Sequence, residues 1–534
     1  MATPDVVLIG LGGAGGIAAD VLTHAGAEVV ALEAGPRVGR GDSRFDEFAN
    51  NAEARLSAPK ALGEAPRWRM SSDREAERSP WPVLMVNAVG GSTVHYPGLS
   101  APLDPWNFES RTRTIDRYGA AAIPAGSTLV DWPIGRTELD PAYRAVERAI
   151  GVAGDREGLL PPLRRSGWNE LTAAAAGRLG WHPFAAPAAI DAERCTYCGF
   201  CSGNVCHRDA KGSTDLTTIP RAEETGRLHV ISGARVTRIE VDADGLACGA
   251  RYVLDGREQV VNAPCVLLGA FVYETVRLLL LSSSPAHPHG LANGSGQVGR
   301  HFMAHVTPNV FGRFPGRRLN LWSGLWAQAT CVEDWNADNF DHSGLGFIGG
   351  AMLTAPQELG PIALASVPTP PGVPRWGSAW KAWLHANAPS IAYINAQVEN
   401  FAYEDCLLDL DPQARDPHGL PVIRVTHRVH ENERRCARFM VERMREWLEA
   451  AGAAETWHAA EPSVEARHCC GGTRMGDDPA TSVVDRFGFA HEVPNLGILS
   501  ASVFPTTGGV SPTLTLQALA WRTATRLVES RLSR

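Results

Sequence analysis

An α/β fold built on a parallel sheet is the class this sequence predicts, and three stretches predict it. Asp5 to Gly35 alternates a buried strand, a glycine turn, a helix and a second strand. Leu228 to Leu281 strings further strand patterns into a helix. From Leu496 onward a strand leads through a Gly/Pro/Ser/Thr loop into a last helix. Strands with helices between them are the pattern of a doubly wound sheet.

The first stretch is the most informative. Val6 to Ile9 is an apolar run suited to a buried parallel strand, and Gly10, Gly12 and Gly15 fill G-x-G-x-x-G. Ile17 to Ala25 reads as a helix, and Val29 to Leu32 is a second apolar run that ends at Glu33. Gly10 permits a tight turn out of the strand, Gly12 lets backbone approach a pyrophosphate, and Gly15 lets the helix pack closely on the sheet. Phosphates then sit on the helix N-terminus, where free N–H groups and the macrodipole favour negative charge. Glu33 lies 23 residues after Gly10, near the spacing of about 20 that puts a carboxylate on a ribose hydroxyl. A carboxylate there repels a ribose phosphate, so NADP is disfavoured. A glycine triplet alone is a weak signal among 54 glycines; strand, helix, second strand and acid together predict a dinucleotide site. They do not separate NAD from FAD.

Length and composition set the frame. At about 150 residues per domain, 534 residues make two to four domains. Hydrophobic residues at 44% and charged residues at 20% describe a globular protein, not a disordered one. A net charge of −8 argues against nonspecific nucleic-acid binding. No apolar run reaches the length of about 18 that a membrane span needs. No cationic segment precedes the first apolar run, so no export signal is expected. Eleven cysteines, four of them between Cys195 and Cys206, suit thiols in a reducing compartment or a cluster site better than a disulfide framework. A cytoplasmic location is expected, with export beside a signal-bearing partner as the alternative.

After Gly35 the chain turns polar and arginine-rich to Arg78, reading as surface loops and short helices. In Trp81 to Phe108, Gly90 and Gly91 supply backbone that can pass close to a ligand, with Ser92 and Thr93 beside it; the bland alternative is a glycine turn with satisfied hydroxyls. Asp131-Trp-Pro-Ile precedes a helical pattern to Ile150, with Pro141 near the helix start. Leu228 to Ile239 and Ala247 to Val253 alternate as strands, and Ala263 to Ala270 is a buried strand leading into a helix from Glu274 to Leu281. From Phe302 to Ala460 the composition changes: Trp322, Trp326, Trp335, Trp376, Trp380 and Trp383 fall in a proline-rich region, as core residues or as platforms for a ring. Val429 to Ala451 is an amphipathic helix with a solvated face. The last strand, Leu496 to Ser500, leads to Pro512 at a first helical position, with Ser511 before it as N-cap.

These stretches resemble the glucose-methanol-choline (GMC) family of FAD-dependent oxidoreductases. The residues that carry the resemblance are the N-terminal glycine loop, Gly90-Gly-Ser-Thr-Val-His-Tyr, Asp131-Trp-Pro-Ile, Gly269 to Ser282 with NGSGQVGR from Asn293, and above all His468 to Gln517. Within the family the CxxCGFCx4C…AKxS stretch and the HxxGGTxMG form are similar to gluconate and related sugar-acid or polyol dehydrogenases. The resemblance implies an FAD-binding Rossmann-like domain assembled from discontinuous segments (1–110, 201–301 and 461–534). It also implies a lid or substrate-side segment (111–200) and an interleaved α+β substrate-binding domain (302–460). Gly10, Gly12, Gly13, Ala14, Gly15, Glu33, Ala34, Gly90, Gly91, Ser92, His95, Val236, Ala501, Ser502, Pro512 and Thr513 are then expected to hold FAD, with Asn495 also approaching it. The helix from Pro512 aims its positive end at the flavin.

The family's reaction removes a hydroxyl proton with a histidine while hydride passes from carbon to flavin. His468 stands in that histidine's place, and imidazole suits the task because its unperturbed pKa lies near working pH. The family's second residue, a histidine or asparagine, is replaced here by Ser511, which hydrogen-bonds a substrate oxygen or only caps the helix. His95 lies five residues after Gly90, the spacing of a flavin-bonded histidine in pyranose oxidases, though relatives with noncovalent flavin share it. Cys195, Cys198, Cys201 and Cys206 form C-x2-C-x2-C-x4-C, dense enough for an iron–sulfur cluster or a metal, or simply a set of free thiols. The expected substrate is a small alcohol or sugar, with oxygen, a quinone, a small subunit or a cytochrome as electron acceptor. A flavin-containing lyase of the hydroxynitrile-lyase type is the alternative on the same fold.

Overall fold

The computed structural model describes residues 3–81 and 83–532; Pro82, inside the Trp81 stretch, and the extreme termini lie outside it. A five-stranded parallel sheet runs in the order Leu496–Ile498, Val266–Leu268, Val6–Ile9, Val29–Glu33, Leu228–Ser232. All three predicted stretches therefore meet in one sheet. The four residues of Val6–Ile9 are buried throughout, as a central strand covered on both faces must be. The helix Gly13–His24 buries Ala14, Ile17, Ala18 and Leu22 and packs on the C-terminal helix Thr513–Leu527.

The first helix starts at Gly13, four residues before the periodic pattern indicates. The glycine loop supplies its own first turn, which is what presents free N–H groups at the loop. A Cβ on Gly15 would lie 2.2 Å from the carbonyl oxygen of Gly10, so strand and helix touch backbone to backbone there. Leu228 to Ile239 is two strands, not one: Gly233, at φ 76°, turns the chain out of the parallel sheet into a three-stranded antiparallel sheet, Arg235–Val241, Ala247–Leu254 and Arg257–Asn262. Pro141 lies inside the helix Arg136–Ile150, five residues past its first, with Gly135 as N-cap. The buried strand is Val266–Leu268 and its helix Val272–Leu281.

A second layer carries its own core. Its six-stranded antiparallel sheet orders Glu455–His458, Asn309–Arg313, Ile391–Ala396, Leu353–Ala355, Thr330–Val332 and Pro183–Ala185. The helix Glu431–Ala450 lays Cys436, Met440, Met444, Trp447 and Leu448 onto that core, so only its charged face is solvated. None of the six tryptophans is fully buried: Trp335 and Trp383 pack at the edge of this core, and Trp376 is 82% exposed. They follow no strong period, so sequence gave no face to assign them to. Between the layers, Met303–Thr307 pairs antiparallel with Ser463–Cys470. Among the described residues no helix is long and apolar enough to cross a membrane.

Gly15→Ala forces the first helix off the sheet. We expect a loss of about 1–3 kcal/mol, the usual cost of overpacking, read from thermal and urea unfolding.

Candidate active site

One cavity of 480 Å³, in the usual range for a small-molecule site, lies where the parallel sheet meets the second layer. Gly10, Gly12, Gly13 and Ala14 form one wall, and Gly91, Ser92 and His95 form the facing one. Gly91 has φ 55°, and a Cβ on it would come 2.8 Å from the Cα of Gly12, so the two loops meet as bare backbone. Glu33, Ala34 and Val236 also line the cavity. Glu33 is buried and braces its surroundings: its carboxylate accepts from Leu11 N–H at 2.9 Å and Gly35 N–H at 2.8 Å. Burial raises its pKa, and those hydrogen bonds with Arg235 and Lys60 oppose the rise. Lys60, itself buried, donates to Glu64 at 2.8 Å and Glu274 at 2.9 Å.

Ala501, Ser511, Pro512 and Thr513 come to the cavity from the C-terminal segment. Four expected residues do not line it. Gly15 stands behind the loop it packs, and Gly90, at φ 96°, is the turn that sets Gly91 in place. Ser502 is fully buried and accepts from Thr473 Oγ1 at 2.6 Å. Asn495 joins strands, its amide donating to the carbonyls of Ala247 at 2.6 Å and Pro264 at 3.0 Å. Nor does Ser511 cap the last helix: Pro512 holds the N-cap position, and Ser511 Oγ donates to Gln397 Oε1 at 3.1 Å.

His468 lines the cavity from a β-bulge. Ala304 pairs with Cys469 and Val306 with Val464, so two steps on one strand match five on the other. A bulge re-aims side chains, and this one puts the consecutive residues Arg467 and His468 both on the cavity side, directly across from His305. The two imidazoles meet Nδ1 to Nδ1 at 3.2 Å, while His305 Nε2 reaches the carbonyl of Gly508 at 2.7 Å. Burial lowers the pKa of His305 to about 4 and of His468 to about 3, so both rings are neutral near pH 7. A carbonyl only accepts, so the single N–H of His305 is on Nε2 and its Nδ1 is an acceptor. His468 must then donate from Nδ1, which leaves its Nε2 with the lone pair. His305 was missed in the sequence because its partner lies 163 residues away and no motif marks it.

The rest of this end is polar and aromatic: Thr307, Asn309, Asn395, Gln397, Ser463, Glu465 and Arg467 with Trp326 and Tyr393. Amides and hydroxyls beside aromatic faces suit a polyhydroxyl ligand.

Residues 402–520 match the family described as GMC oxidoreductase. The chain is 31% identical to the gluconate 2-dehydrogenase flavoprotein of Pantoea cypripedii, over 99% of this chain and 94% of that protein. It belongs to the GMC oxidoreductase family. A 2-methyl-1,2-propanediol dehydrogenase of Mycolicibacterium austroafricanum is 29% identical, over 97% of this chain and 94% of that one. The fold is shared with pyridoxine 4-oxidase from Mesorbium loti, at TM-score 0.66 and 16% identity, over 99% of this chain and 100% of that one. Like its relatives, this GMC oxidoreductase acts on CH–OH donors, and its cofactor is FAD. The cavity fits that cofactor: the Gly12–Gly91 cradle has no side chain to obstruct it, and His95, which lines it, has its Nε2 buried with no protein partner.

In the same enzyme, Cys195, Cys198, Cys201 and Cys206 line a separate cavity of 20 Å³. Among the described residues, the one group of three or more metal-type ligands whose atoms fall within 4.8 Å of one another is Asp405, Cys406 and His430. Thiolates about 2.3 Å from one zinc sit about 4 Å apart, so these four cysteines are not gathered around a single ion. An iron–sulfur cluster holds its thiolates farther apart than a single ion does. The loop itself is a cavity wall. Lys211, fully buried, donates from Nζ to the carbonyls of Val94 at 3.0 Å, Cys201 at 2.9 Å and Asn204 at 2.9 Å. Gly203 N–H reaches the His95 carbonyl at 2.9 Å, and Ser202 touches the main cavity. Elemental analysis of protein purified with added zinc is expected to show no stoichiometric zinc.

Proposed function

We propose that this enzyme oxidises the CH–OH group of a sugar, sugar acid, polyol or related alcohol, with His468 as general base and His305 as the residue that positions it. The observation that carries this reading is the chain from Gly508 carbonyl through His305 to His468, which leaves a lone pair on His468 Nε2 at the cavity. FAD, held along the two glycine loops, would supply the hydride acceptor. His468 takes the hydroxyl proton, and Glu465 is the neighbouring charge that favours the imidazolium so formed. His305 keeps the ring in the tautomer that can accept. Ser511 lines the same wall and holds Gln397 there. Pro512 and Thr513 present the N-terminus of the last helix, which favours negative charge at that edge. We also propose Gly10, Gly12, Gly91 and Glu33 as the residues that grip the cofactor, and a partner protein as one destination of its electrons, a reading supported by the flavoprotein relative. A screen of alcohols with a dye acceptor beside oxygen tests donor and acceptor together.

Anaerobic stopped-flow bleaching separates the roles. His468→Ala should keep its flavin yet lose about 10²–10⁴-fold in the rate of flavin reduction, the usual worth of a general base. His305→Ala should lose about tenfold or more, and His305→Gln should recover most of it, since an amide can donate to Gly508 and accept from His468. Ser511→Ala should lose least. Normal bleaching in His468→Ala would sink the assignment.

The pH dependence follows from the same neutral pair. Both folded pKa values lie below the unfolded value of 6.5, so the unfolded state takes up protons first on acidification. Stability from the pair is complete above about pH 6.5 and falls as pH drops toward 3–4. The rate of flavin reduction should accordingly show no titration near 6.5, whereas chemical denaturation at pH 7 and pH 5 should show the lower stability at pH 5.

A further inference from the structure

We infer that the Glu465–Arg467 ion pair makes the site select a neutral polyhydroxyl substrate over a sugar acid; the inference deepens the function just proposed and rests on it. The bulge opposite His305 turns both side chains onto the cavity wall beside His468. Arg467 donates to Glu465 through Nε at 2.8 Å and Nη2 at 2.7 Å, and its backbone N–H adds a third bond at 3.1 Å. The pair is closed on itself, plus against minus. Arg467 keeps 38% of its side chain accessible and Glu465 17%, and both line the cavity, so the pair is open to a ligand.

The rest of the substrate end adds no net charge: His468 is neutral, and Asn309, Asn395 and Gln397 are amides. A carboxylate entering here can reach the unused N–H groups of Arg467 only with the charge of Glu465 against it, and gains a full counter-charge only by breaking the bidentate pair. Hydroxyls face no such choice. They donate to the lone pair left on Glu465 and accept from the unused N–H groups of Arg467. Like-charge contacts across a binding site are a means of rejecting wrong partners.

The test uses holoenzyme with an alditol, its aldonate and an amino sugar in the dye-linked assay. Wild type should favour the alditol over the aldonate by about tenfold or more in kcat/KM. Glu465→Gln frees Arg467 and should raise the aldonate-to-alditol ratio by about tenfold; Arg467→Gln frees Glu465 and should shift preference toward the amino sugar. The double variant should return the ratio toward wild type. Ratios cancel any loss common to all donors, including loss from the charge that Glu465 lends His468. Titration of the flavin absorbance with the same three compounds reads binding without turnover and applies even where a variant is slow. A wild type that prefers the aldonate, or an unchanged ratio in Glu465→Gln, overturns the inference. Failure of every alcohol to bleach wild-type flavin overturns the proposed function instead, and the binding ratios then still decide the selectivity.

Discussion

The hydrogen bond between His305 and His468 links two paired strands that run between the layers of the fold. Met303–Thr307 leads directly into the antiparallel layer at Asn309–Arg313, while Ser463–Cys470 returns from that layer toward the parallel sheet. Their pairing closes the cavity at its reacting end. A regular ladder would alternate Val464, Glu465, Ala466, Arg467 and His468 in and out, and His468 would turn away from the side that Arg467 faces. The extra residues of the bulge break that alternation. Backbone irregularity thus puts His468 and the ion pair in one wall, with His305 buried directly behind.

Charge is distributed unevenly along the same cavity. Around Glu33 the wall is a network of full charges, with Lys60 between Glu64 and Glu274, and Arg277 bonded to Glu274 at 3.2 Å and Asp416 at 2.7 Å. Buried charges of this kind are tolerable because each has a partner and hydrogen bonds; removing one leaves an unpaired ion in the interior. Around His468 the logic reverses. Three imidazoles, His95, His305 and His468, are driven neutral by burial, and the one ion pair is closed on itself. A protonated histidine there would be useless as a base, and burial removes that state without a dedicated partner.

Much of the cofactor side was legible in the sequence because it is local. A strand, a glycine turn and a helix are adjacent in the chain, and the backbone approach that needs Gly12 is written in one short stretch. Family resemblance then placed His468, since its motif is contiguous with the residues that fix the turn after it. The substrate side was not legible for a corresponding reason. His305, Asn395, Gln397 and Glu465 come from segments that sheet pairing alone brings together, and pairing across irregular strands leaves no period to read. Ser511 shows the limit within a motif: its position suggested a cap or a substrate contact, and the structure gives the cap position to Pro512, keeps Ser511 at the cavity and sends its hydroxyl proton to Gln397, 114 residues away. The tryptophans fail differently, because a proline-rich chain has no repeat from which to infer a buried face.

The proposed reaction, which takes a proton from the hydroxyl and a hydride from its carbon, would create charge in two places, and the two walls of that end differ. In the proposed reaction a proton arriving at His468 would make a cation in an enclosed site, and Glu465 is the group whose field would favour it, with Arg467 and His305 opposing. On the other wall the N-terminus of Thr513–Leu527 opens onto the cavity through Pro512 and Thr513, and no side chain caps it. An uncapped helix start keeps its N–H groups available to a ligand. That explains why Ser511 is better spent on Gln397: a serine capping the helix would occupy the donors that face the cavity and would loosen the amide that shapes the substrate end.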